Sequence, residues 1–71
     1  MSRRETPLET ATRHVAEAQE RVVRQELLIS KLEYEGHADL LPAAHALLEQ
    51  MLDYLWQCRR HVDRERAKPP A

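Results

Sequence analysis

The chain has 71 residues, 11 of them Lys or Arg and 12 Asp or Glu, for a formal net charge of -1. That length accommodates one small domain (1–71) at most, and near-balanced charge argues against a dedicated nucleic-acid binder, which needs a basic surface. Phenylalanine is absent, the aromatics are Tyr34, Tyr54 and Trp56, and Cys58 stands alone, so no disulfide framework supports the fold.

Residues 1–5 read as a frayed arm. Thr6-Pro7-Leu8-Glu9 is a helix start: Thr6 can cap, Pro7 suits the first helical position and Glu9 can complete a capping box. Apolar residues then follow at Leu8, Ala11, Val15, Ala18, Val22, Ile29 and Leu32, with Gln25 in the remaining slot. Steps of three and four are the a/d seam of a coiled coil.

Gly36 is the only glycine in the chain. It can take the left-handed conformation that ends a helix. Asp39 can then accept hydrogen bonds from free backbone N–H groups as the N-cap of a second helix, with Pro42 in its first turn. A second seam runs through Ala44, Leu48, Met51, Leu55, Cys58 and Val62. Residues 67–71, ending in two prolines, read as a tail. The prediction is an all-α chain, a two-helix antiparallel hairpin over about 6–35 and 39–66. A single helix bent at Gly36 is the competing reading. Seam positions pair across the hairpin with numbers that sum to 76 or 77, from Leu32 with Ala44 to Val15 with Val62.

One seam does not use all the apolar residues. Val23, Leu27, Leu28, Tyr34, Leu47, Leu52, Tyr54 and Trp56 fall on the flanks. Burying a large apolar side chain is worth about 1.5–3 kcal/mol, and a core below about 70–80 residues rarely suffices by itself. These eight are therefore the expected interface of a homodimer that closes a four-helix bundle. The terminal end of the hairpin carries about +3 and the turn end about -4 by formal charge. Two such rods pair most favourably head to tail, with salt screening most of the effect.

Several residues are weighed for more specific roles. Gln25, the polar member of its seam, can fix register and oligomeric state, in which case Gln25→Leu raises stability and blurs the oligomer. Cys58 and His61 lie one turn apart, with His14 near His61 across the hairpin. They are the one constellation resembling a metal site, though Cys58 on the seam and histidines on the flank fit tetrahedral zinc poorly. The plainer reading is a buried thiol beside two surface histidines, with no metal and no cofactor. Arg21 with Tyr54, and Glu33 with His45, are expected to face each other as a cation–π contact and a rim ion pair. No glycine-rich phosphate loop, H-E-x-x-H or nucleophile elbow is present, which points away from an enzyme. The basic stretch 59–68 is diluted by Asp63 and Glu65 and carries no stacking aromatics, so nucleic acid is a minority expectation.

No apolar run approaches the roughly 18 residues of a membrane span, and positions 1–7 lack the apolar core of a signal peptide. With one unpaired cysteine, a cytoplasmic protein is expected. The run His14-Val15-Ala16-Glu17, then Gln25, Ile29 with Leu32, Gly36-His37 and Ala46-Leu47-Leu48, resembles short, uncharacterised α-helical hairpin proteins of bacteria. The resemblance covers about half the chain. It implies a bacterial cytosolic hairpin and carries no assigned activity. The expectation overall is a non-catalytic protein–protein interaction module. An accessory nucleic-acid or anion binder and a metal-binding regulator are the alternatives.

Overall fold

Capping decides where the helices of this chain begin and end. The computed structural model describes residues 4–69. Thr6 is in extended conformation, and its hydroxyl oxygen accepts from the Glu9 backbone N–H at 3.0 Å. That bond starts α1, Pro7–Tyr34. The helix stops at Gly36, whose φ of +79° is left-handed. There the Gly36 N–H reaches the Glu33 carbonyl at 3.2 Å and the His37 N–H reaches the Leu32 carbonyl at 2.9 Å. These two bonds are the Schellman pattern, and they satisfy carbonyls that a helix end otherwise leaves bare.

A single 3-10 turn, Ala38–Leu40, leads directly into α2, Leu41–Ala67. Asp39 lies inside this turn and is not the N-cap of α2. The cap position is Leu40, without a side-chain bond, because the 3-10 turn already feeds the chain into helical geometry. Pro42 falls in the first turn of α2, as its missing N–H allows. At the other end Ala67 is still helical, so the C-terminal tail begins at Lys68. Of the two expected tails, Met1, Ser2, Arg3, Pro70 and Ala71 lie outside the described residues. Arg4 and Glu5 are non-helical, yet Glu5 folds back to pair with Arg13 at 3.1 Å.

The two helices pack antiparallel, which establishes the hairpin and excludes one continuous rod. Its centre is Ala18, Val22, Leu55 and Cys58, with Val15, Leu48 and Met51 packed around them. Ile29, Ala44, Ala11 and Val62 extend the buried line to both ends, so the two heptad seams do face each other.

Their register differs from the one expected. A pairing that sums to 76 or 77 sets Gln25 opposite Met51, about 10 Å along the axis from Ala44 at 1.5 Å per residue. Instead, the Gln25 side-chain amide donates to the Ala44 carbonyl at 2.9 Å. The extended Gln25 side chain spans part of that distance, and the remainder displaces the helices by about one turn. Numbers that sum to about 73 then set Ala11 level with Val62, Ala18 with Leu55 and Ile29 with Ala44, all of them buried. Half-buried Leu32 and Leu41 close the line at the turn. The seam of α2 thus begins at half-buried Leu41, one turn before Ala44.

The result is a plate 55 × 28 × 12 Å. Its thinnest dimension is one helix diameter, so both broad faces and the outer edges meet solvent.

Candidate interaction surface

The buried seam is narrow in chemistry as well as in space. Val22, Ile29, Leu55 and Val62 are its large aliphatic members, and the remaining buried positions are alanines, a thiol and the Gln25 amide. Ten large apolar side chains stay exposed among the described residues. All eight flank residues, Val23, Leu27, Leu28, Tyr34, Leu47, Leu52, Tyr54 and Trp56, are in that set, Tyr34 the most open at 93%.

They do not form one patch. Tyr54 and Trp56 are two residues apart, about 200° around the helix, and lie on opposite sides of the plate. On the first face Leu47, Met51 and Tyr54 line a groove with Ala18 and Arg21. Leu28 continues it beside Arg21 and Met51. On the second face Trp56 and Arg59 line a groove with Thr12 and Val15, and Asp63 and Arg66 extend it. Leu52, one turn before Trp56, adds to this side. Leu27 and Tyr34, seven residues apart, mark the outer edge of α1, and Val23 lies between that edge and the Trp56 face. Spacing divides the flank residues of each helix between two sides, but which side of α1 joins which side of α2 depends on the hand of the hairpin. Thr12 is not among the expected site residues, and Arg59 is expected only as the start of the basic stretch 59–68. The signal that marks Arg59 is a second run of steps of four and three on α2, through His45, Glu49, Leu52, Trp56, Arg59 and Asp63.

His14, Cys58 and His61 do come to one groove, on the Tyr54 side. They do not converge. Among the described residues no three His, Cys, Asp or Glu side chains are grouped to hold a metal ion. Cys58 is buried in the seam, whereas His61 turns outward to Glu65 at 3.8 Å. The Cys58 sulfur raises the Tyr54 phenol above its ordinary value, and Arg21 opposes that shift. Arg21 and Tyr54 line one groove. Glu33 and His45 make no ion pair, since the one-turn displacement separates them.

The surface charges pair locally. Arg13 bridges Glu5 and Glu17, at 3.1 and 2.8 Å, Lys68 meets Glu65 at 2.8 Å, and Arg24 meets Glu20 at 3.8 Å. Arg13 holds the Glu17 carboxyl below the usual carboxylate range through a hydrogen bond, and Lys68 does the same for Glu65. Such exposed pairs are worth little each. No helix among the described residues is long and apolar enough to cross a membrane. No protein-family model matches the sequence, and neither the curated proteins nor the solved structures hold a match to it.

Proposed function

We propose that the protein is a non-catalytic interaction module that self-associates into a helical bundle, a four-helix bundle when two copies pair. The observation that carries this is the imbalance, among the described residues, between a seam with four large buried aliphatic side chains and ten large apolar side chains left in solvent. Single exposed apolar residues are ordinary on monomers. Here they are spread over both broad faces and the outer edge of a plate whose own core is small for its length. Size-exclusion chromatography with light scattering tests the reading. The expected particle has about twice the 8.3 kDa mass of the chain at micromolar concentration. A folded species of single-chain mass under those conditions overturns it.

A second reading, an accessory nucleic-acid or anion binder, draws on Arg59 and Arg66 beside exposed Trp56. Asp63 in the same groove, and Glu65 held against Lys68, count against it. Binding of single-stranded DNA that weakens steeply with salt would support this reading.

A further inference from the structure

We propose that a second copy of this chain docks antiparallel on the Trp56 face, with α2 of one protomer lying along α2 of its partner; this rests on the self-association proposed above and adds its face, direction and register.

The stripe His45, Glu49, Leu52, Trp56, Arg59, Asp63 advances by four and three residues, so its members share one side of α2. All six are exposed. The stripe is its own complement. Turned end for end about the level of Tyr54, it sets Leu52 against the partner's Trp56, Glu49 against the partner's Arg59 and His45 against the partner's Asp63. Each contact then occurs twice, as a two-fold interface requires. Apolar groups meet at the centre and opposite charges meet on either side, the arrangement of a buried core with a polar rim.

α1 fits the same axis. In the observed register Gln19 lies level with Tyr54. It is one turn beyond Val15, which lines the Trp56 groove, so it meets its own copy at the axis, where two amides can exchange hydrogen bonds. Val15 and Val23 stand four residues to either side and meet across it.

The charges support an intermolecular role. Glu49, Arg59 and Asp63 have no ion-pair partner within the described residues of their own chain, whereas Arg13, Arg24 and Lys68 are satisfied locally. The Tyr54 face lacks this symmetry. Its leucines, Leu28 and Leu47, lie toward the turn end, while Glu17, His61 and Glu65 occupy the other. An antiparallel copy there opposes leucines with charges.

The test is the dimer dissociation constant from sedimentation equilibrium, with circular dichroism to verify that each variant folds. Arg59→Glu is expected to raise the constant about tenfold at low salt, since it converts two attractions into two repulsions. The double variant Glu49→Arg with Arg59→Glu is expected to restore it to within about threefold of the parent. Trp56→Glu abolishes the dimer, and Leu47→Glu on the opposite face leaves it intact. If Trp56→Glu loses helicity, the charge-swap pair decides. A double variant as weak as Arg59→Glu overturns the register proposed here. A dimer that survives Trp56→Glu but is lost in Leu47→Glu overturns the face and leaves self-association standing. A parent chain that stays monomeric overturns both.

Discussion

The Gln25 side-chain amide spans the hairpin to donate to the main-chain oxygen of Ala44, 2.9 Å away, from a side chain only 6% exposed. In an α-helix that carbonyl also accepts from the backbone N–H four residues on, so it keeps a partner when Gln25 is replaced. Gln25→Leu is thus expected to change stability by no more than about 1 kcal/mol. Gln25→Glu sets an acceptor against an acceptor in a buried place and is expected to cost about 1–3 kcal/mol at neutral pH. Urea unfolding at one fixed protein concentration measures both. Equal losses in the two variants would show that this bond does not lock the helices together.

Gly36 is held at φ +79°, and a Cβ built there meets nothing within 4 Å. The cost of Gly36→Ala is then conformational alone, about 1–2 kcal/mol. Gly36→Asn, which tolerates the left-handed region, is expected to lose less. Thr6→Ala removes the bond to the Glu9 N–H and is expected to cost about 1 kcal/mol. Thermal melts of the three variants rank them, and Gly36→Asn below Gly36→Ala would refute the left-handed cap.

These caps also mark how far the sequence is legible. Thr6, Pro7 and Gly36 announce their roles because capping is a matter of a few bonds within one turn of chain. The seams are equally plain, since heptad spacing is local. Register was misread by one turn, because it depends on how many residues the connection consumes. The 3-10 turn at Ala38–Leu40 replaced the Asp39 cap without any sequence signal strong enough to forecast it. Helical spacing separates Tyr54 from Trp56 on α2, but matching the sides of α1 to those of α2 takes the hand of the hairpin, which no local spacing carries.

Acid should weaken the fold at identifiable places. The Glu17 and Glu65 carboxyls lie below their ordinary value of 4.5 in the folded chain, chiefly through hydrogen bonds from Arg13 and Lys68. A carboxyl whose pKa is lower folded than unfolded lends stability above the unfolded value and loses it as pH falls through the folded one. The melting temperature is therefore expected to hold from neutral pH to about 4.5 and decline below it, with a small amplitude because both pairs are exposed. In Arg13→Gln, an NMR titration should find Glu17 back in the ordinary range while Glu65 stays low. A lowered Glu17 persisting in that variant would assign the shift to another group.

Cys58 is buried among Ala18, Val22 and Leu55. Its reaction with a thiol reagent is expected to be slow in the folded chain and to accelerate with denaturant along the unfolding curve. Zinc or a chelator should leave the melting temperature unchanged, since His14 and His61 do not join Cys58 in a ligand set. Rapid labelling under native conditions would show that the seam opens at this point.

A plate only 12 Å through has two sides and scarcely any inside. Whatever grips one side sits a single helix diameter from whatever grips the other, with one file of seam side chains as the partition. Strain or ordering imposed from one side therefore reaches the reverse without passing through a second layer.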